Sequence, residues 1–145
     1  KDMDGKAVSF EEYKGKIVIL DFWATWCGPC KKSFPAMQAA VKKYKTDPNV
    51  KFFFIDTWEA DANYEEKIKQ YMSSNKYDFH VLLDNKQTNV SGNFNIDGLP
   101  TKFVIDGNGI IRFKLLGFEG GDDAAVEEIS AMIDIAKKSS QMDKF

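Results

Sequence analysis

The chain has 145 residues, 43% of them apolar, and a formal net charge of −2. That length suffices for one substantial core, so a single domain over residues 1–145 is expected, and the charge balance lacks the basic excess of a nucleic-acid surface. No apolar run reaches the ~18 residues of a membrane-spanning helix. Lys1 is not an initiator Met, so the chain reads as a trimmed or processed product, and a missing signal peptide excludes nothing. Twelve Phe predict a bulky aromatic core. There is no internal repeat, low-complexity segment or linker.

In chain order, Met3-Asp4-Gly5-Lys6 carries a two-residue hairpin signal between short strands. Ser9-Phe10-Glu11-Glu12 reads as a capping box opening one helical turn, which Gly15 ends. Residues 16–23 form a continuous apolar strand, the kind buried on both faces of a largely parallel sheet. A helix is predicted over 28–45, with Phe34, Met37, Val41 and Tyr44 at helical spacing and a kink at Pro35, which lacks an N–H. Asp47-Pro48-Asn49 is a turn, and 50–56 a second buried strand. Asn63 caps a predicted helix through 73 that turns Ile68, Tyr71 and Met72 inward. A short strand follows at 79–83 and a weak helix at 86–93. Strands at 102–105 and 110–116 pair across Asp106-Gly107-Asn108-Gly109. A final helix starts at Asp122 or Asp123, with Val126, Ile129, Ile133 and Ala136 in one stripe, and frays after Lys138. Strands alternating with helices, then a hairpin and a helix, predict a mixed α/β sheet.

The chemistry concentrates in Trp26-Cys27-Gly28-Pro29-Cys30, which holds the only two cysteines. A cysteine at a helix N-terminus has its thiolate favoured by unpaired backbone N–H groups and the helix dipole. Pro29 suits the first helical turn, where no donor is missed. Cys27 is then the exposed attacking sulfur and Cys30, one turn on, the shielded resolving one. A zinc site would need a fuller Cys/His set than this pair and the distant His80. A purely structural disulfide closing so short a loop would remove little chain entropy. Thiol redox chemistry is left. Asp21, on the buried strand, is an expensive place for a carboxylate unless it is protonated or partnered.

Residues 21–31, Asp21-Phe22-Trp23-Ala24-Thr25-Trp26-Cys27-Gly28-Pro29-Cys30-Lys31, resemble the active-site segment of the thioredoxin superfamily. Lys31-Lys32-Ser33-Phe34-Pro35 and Gly98-Leu99-Pro100-Thr101 narrow the likeness to TlpA/ResA-type thiol-disulfide oxidoreductases, extracytoplasmic bacterial members of that superfamily. The likeness runs from about residue 5 to about residue 135. It implies a thioredoxin fold: a mixed central sheet flanked by helices, a bent helix at Pro35, an N-terminal hairpin, and an inserted helix-strand unit over roughly 57–83. It also implies that Cys27 attacks a partner disulfide and that Cys30 resolves the mixed disulfide. The Gly28-Pro29 pair goes, in such proteins, with a reducing couple nearer about −270 mV than −120 mV. The implied activity is therefore reduction of protein disulfides.

By the same resemblance, Pro100 corresponds to a cis-proline opposite the cysteines. The backbone of Leu99 is then placed to pair with an extended partner chain, and the proline keeps a metal from using both thiols. Asp21 matches a buried Asp that handles the proton of the resolving thiol. Trp26 shapes the docking surface, Trp23 is core, and Trp58 is placed equally well as a flank of the site or as packing. Lys31 and Lys32 read as a solvated helix face that could also help hold a Cys27 thiolate. His80, Glu65-Glu66 and Glu127-Glu128 have no assigned role. Many TlpA/ResA-type proteins carry Glu three residues after the second cysteine, where this chain has Ser33, so the resemblance does not extend to their thiol acidities or to their cytochrome-maturation partner as implications for this chain. The implied partners are protein disulfide substrates and an upstream dithiol electron donor, with no nucleic acid, cofactor or metal, and the chain is expected to be monomeric. The implied location is extracytoplasmic, with any membrane anchor outside this sequence. The alternatives are an isomerase or oxidase using the same cysteines, and a binding module on the same scaffold. A peroxidase would need a separate peroxidatic cysteine with an upstream Pro/Thr motif, which is missing.

Overall fold

The structure, a computed structural model, describes residues 1–118 and 121–142. The apolar run near the N-terminus folds as β1 (Ile17–Trp23), in which every residue is buried. Such a strand must sit inside a sheet with both faces covered. It does so, pairing in parallel with β2 (Val50–Asp56) on one side and antiparallel with β4 (Thr101–Ile105) on the other. β3 (Val81–Leu83) adds in parallel outside β2, and β5 (Ile111–Leu116) adds antiparallel outside β4. The sheet order is β3-β2-β1-β4-β5.

Strand alternation sends two sets of side chains to two cores. Ile17, Ile19 and Trp23 pack with Phe34 and Met37 of α1 (Gly28–Lys43), Ile68 of α2 (Tyr64–Asn75), and Ile129 and Ile133 of α4 (Asp122–Met142). Val18, Leu20 and Phe22 face the other way, onto Phe53, Ile55 and Phe103, with Phe10, Tyr13 and Phe94 over them. Phe34 is fully buried and meets Trp23, Phe54 and Phe79 edge-on at 5.0, 5.8 and 5.1 Å. Burying such a ring contributes about 1.5–3 kcal/mol, and the edge-to-face contacts add to it. The abundance of Phe is spent here.

Several expected boundaries move for local reasons. The hairpin at residues 3–6 is only a turn without flanking strands. The Asp2 carboxylate accepts from the Asp4 and Lys6 N–H groups, and Asp2 bridges Leu82 at the sheet edge instead. α1 stops at Lys43 and runs continuously through Pro35, with the Lys31 carbonyl deprived of its usual helical donor. Asn63 occupies the N-cap of α2 without a side-chain cap bond; its own N–H is taken by Asp61. The helix expected over 86–93 shrinks to α3 (Val90–Asn93), because Asn85 and Thr88 close a side-chain turn before it. α4 continues past Lys138 to Met142. Its Ser140 hydroxyl accepts from the Gly107 N–H at 2.7 Å and donates to the Ala136 carbonyl at 2.9 Å, tying the last turn to the β4–β5 connection. Residues 143–145, the end of the predicted fraying tail, lie outside the described residues.

Candidate active site

β1 ends at Trp23 and passes through Ala24-Thr25-Trp26 into the first turn of α1. Cys27 is the N-cap of that helix: its Sγ accepts from the Cys30 N–H at 3.2 Å, and Pro29 sits in the first turn. A sulfur in that position replaces the usual capping oxygen and faces the positive end of the helix. Cys27 and Cys30 are joined as a disulfide. Gly28 and Pro29 are exposed, and Trp26 is 60% exposed. Cys27, expected to be the exposed sulfur, is only 3% exposed, against 0% for Cys30. Both oxidised cysteines are packed into the Trp23–Phe34 core, so the asymmetry between them is small in this state.

In front of the disulfide, the loop after β2 is fastened to the turn before Cys27. Thr25 donates its N–H and its hydroxyl to the two Glu59 oxygens, at 3.0 and 2.7 Å. The Trp26 indole N–H donates to the Trp58 carbonyl at 2.8 Å. Trp58 has a φ of 56°, a region bulky residues rarely adopt, and its ring is 41% exposed. The loop therefore presents a second indole beside Trp26. Beneath it lies Asp56, buried at the end of β2, with neither carboxyl oxygen accepting a hydrogen bond. Burial first, and then the Glu59 and Asp84 carboxylates, push its pKa up to about 10. At neutral pH Asp56 is a carboxylic acid, with a proton to donate toward Glu59. Asp84 is held differently: Thr57 and Thr88 hydroxyls and the Val90 and Ser91 N–H groups donate to it, and these bonds outweigh its burial to lower its pKa.

Behind the disulfide, Asp21 is 1% exposed, and neither of its oxygens has a hydrogen-bond partner. Burial raises its pKa to about 6, with the Lys102 charge opposing the rise. The antiparallel register sets Lys102 of β4 directly across from Asp21, with Nζ 3.9 Å from Oδ2. Lys102 Nζ also donates to Ser33 Oγ at 3.4 Å, and Ser33 donates to the Cys30 carbonyl at 2.7 Å. All three side chains are buried.

The Leu99-Pro100 bond is cis. Because Phe22 pairs with Thr101, this dipeptide lies at the end of the sheet where β1 hands over to Cys27. Leu99 packs against the core that includes both cysteines. Trp23 is fully buried, Lys31 stacks its ammonium over Tyr71 at 4.9 Å, and His80 rests on Phe53 within 3.5 Å of Asp2. A cavity of about 550 Å³ between the turn at Phe10–Tyr13 and the β4–β5 connection is lined by neither cysteine. Sequence reading missed Lys102, Glu59, Thr25 and Asp56. A lysine inside an otherwise apolar strand was the available signal for Lys102. The others are polar residues in or beside loops, which nothing in the sequence distinguishes from solvated ones.

A thiol:disulfide interchange protein of the thioredoxin family from Chlorobium tepidum superposes with a TM-score of 0.74 at 27% identity, covering 93% of this chain and 89% of that one. StoA from Bacillus subtilis superposes with a TM-score of 0.73 at 26% identity, covering 91% and 92%. The fold is thus that of thioredoxin. In sequence, the thiol-disulfide oxidoreductase ResA of Bacillus cereus is 36% identical over 116 residues, 80% of this chain and 64% of that protein. The Bacillus subtilis ResA is 34% identical over 109 residues, 75% and 58%. The chain therefore spans less than two-thirds of these curated relatives. The AhpC/TSA family profile matches residues 1–114, from the N-terminal turn through the cysteine helix and the cis-proline strand to β5, and on that ground the chain belongs to the AhpC/TSA family.

Proposed function

We propose that the protein is a thiol-disulfide oxidoreductase that reduces protein disulfides through a Cys27/Cys30 cycle. The observation that carries this reading is the helix N-cap role of Cys27, whose sulfur already accepts the Cys30 N–H. In the reduced protein the same N–H stabilises a Cys27 thiolate, which attacks one sulfur of a partner disulfide. A Cys27–partner S–S bond forms, and the other partner sulfur leaves as a thiolate. Cys30 then gives its proton to Asp21, and its thiolate attacks Cys27 Sγ. The Cys27–Cys30 bond forms, the mixed bond breaks, and the partner leaves reduced by two electrons. A dithiol donor resets the protein by the reverse exchange.

Trp26, Gly28, Pro29 and the Leu99-Pro100 segment form the docking rim, with an extended partner chain pairing along Leu99. Trp58 belongs with this rim, since its carbonyl holds the Trp26 indole. The substrates are proteins, and the likeness to ResA and StoA supports work outside the cytoplasm. Among the described residues no helix is long and apolar enough to cross a membrane.

Insulin-disulfide reduction with a dithiol donor tests the reading. Wild type should turn over, Cys27→Ala should not, and Cys30→Ala should accumulate mixed disulfides on Cys27. Equal trapping by Cys27→Ala would reverse the roles of the two sulfurs. Turnover without dependence on either cysteine would leave only a binding module.

A further inference from the structure

One face of α2 meets the start of the cysteine helix. Lys67, Gln70, Tyr71 and Ser74 fall on a single helical stripe, while Ile68 between them is buried in the core. That stripe and the residues around the cysteines enclose a groove of about 400 Å³, completed by Thr25, Trp26 and Lys31. The groove is continuous with the docking rim, because Trp26 belongs to both and Lys31 follows Cys30 directly in the chain. Its described lining holds two ammonium groups and no carboxylate. Lys31 Nζ lies 4.9 Å from the centre of the Tyr71 ring, a contact that holds the ammonium at the groove without neutralising it. Among the described residues no carboxylate pairs with Lys31. Lys67 is paired with Asp61 at the surface, but that ammonium keeps two further donors.

We infer that this groove is a specificity subsite of the reductase: it takes an aspartate or glutamate side chain that the partner polypeptide carries beside the disulfide under attack, with Lys31 and Lys67 as the pairing cations. The inference rests on the reading of Cys27 as the sulfur that attacks partner disulfides. Charge complementarity selects the occupant. A basic partner side chain would meet two ammonium groups, and an apolar one would strip water from them without return. The Trp26 ring is a fixed wall of the groove, since its indole N–H is bound to the Trp58 carbonyl at 2.8 Å. The whole chain carries a net charge of −2, so its overall field repels an acidic partner weakly. A preference for acidic partners therefore has to arise locally, from the two lysines beside the cysteines.

The test is stopped-flow attack by the reduced protein on three peptide disulfides that differ at one residue beside the disulfide: Glu, Gln or Lys. At low salt wild type should attack the Glu peptide about 5–10-fold faster than the Lys peptide, with the Gln peptide between them. The ratio should shrink toward unity in about 1 M salt, where the screening length falls to about 3 Å. Rate ratios cancel any influence of Lys31 on the Cys27 thiolate, because that influence is common to all three peptides. The double variant Lys31→Gln with Lys67→Gln should bring the Glu/Lys ratio within about 2-fold of unity, and Lys31→Glu with Lys67→Glu should invert it. Lys45→Gln removes an exposed charge beyond the far end of α1 and should keep the wild-type ratio. A preference that survives the double neutral variant overturns the inference, as does one that falls equally in Lys45→Gln; either places its source elsewhere. If wild type attacks none of the peptides, the reductase reading fails and this inference with it. If wild type attacks all three at equal rates, that reading stands and only the groove loses its role.

Discussion

Two aspartates on the neighbouring strands β1 and β2 have similar burial. Asp21 lies on β1 and Asp56 ends β2; both are fully enclosed, and both have carboxyl oxygens that accept no hydrogen bond. Burial is the first cause of a raised pKa in each, yet one reaches about 6 and the other about 10. The difference is the neighbour. Asp21 faces a lysine, which opposes the rise; Asp56 faces Glu59 and Asp84, which add to it. A carboxyl near 6 exchanges its proton near neutral pH and is fit for catalysis. One near 10 stays protonated and is fit only to donate a hydrogen bond. Burial alone therefore does not mark a catalytic acid; the sign of the nearest charge does.

The largest difference between the two aspartates should be kinetic. Asp21→Asn should slow resolution of the mixed disulfide by about 10–100-fold, as expected for a lost general base, while leaving the attack of Cys27 nearly intact. Asp56→Asn should change neither step by more than about 2-fold, because Asn replaces a neutral donor with a neutral donor. Stopped-flow rates for both steps in both variants decide it. An equal slowing of resolution by the two substitutions would mean that both aspartates act through packing.

Stability against pH gives a second, smaller contrast. Each carboxyl binds its proton more tightly folded than unfolded, so the native state holds more protons and stability falls as pH rises from the unfolded value to the folded one. For Asp21 that window is about pH 4–6, and for Asp56 about pH 4–10. The slope per group is at most about 1.4 kcal/mol per pH unit. Denaturant titrations should show Asp21→Asn flattening the decline only below about pH 6 and Asp56→Asn flattening it well above neutrality. Identical curves for the two variants would contradict the assignment.

Legibility in the sequence followed the range of the signal. The seven-residue apolar strand, the cysteine pair at a helix start and the Asp106–Gly109 turn are each written in adjacent residues, and each was read from them. Pairing between distant strands was not. Asp21 could be singled out as a misplaced charge, but its partner comes from the antiparallel register with β4, which no local pattern states. The same limit hid the Thr25–Glu59 clamp, a contact between two loops. Misreadings at the N-terminus and near α3 arose where short side chains took over backbone bonding. Asp2 closes the turn at residues 2–6, and Asn85 with Thr88 closes the turn before Val90.

The finest test changes the neighbour instead of the aspartate. Glu59 accepts both Thr25 donors and lies against Asp56, so Glu59→Gln alters the charge beside Asp56 while keeping the shape of the clamp. One Gln oxygen can still accept the Thr25 N–H, and the Thr25 hydroxyl can rotate to accept from the Gln amide. The loss in stability near pH 6 should therefore stay within about 1 kcal/mol, the net worth of one ordinary hydrogen bond. With the Trp26–Trp58 bond also in place, reductase turnover should change by no more than about 3-fold. The effect on Asp56 should be visible all the same. Without the Glu59 charge its pKa falls, because burial and Asp84 still raise it but one contributor is gone. The upper end of the pH window over which stability declines should then retreat toward neutral pH, measurable as a shallower loss between pH 8 and pH 9.5 than in wild type. A decline as steep as wild type throughout that range would mean that burial, and not the facing carboxylate, sets Asp56 apart from Asp21.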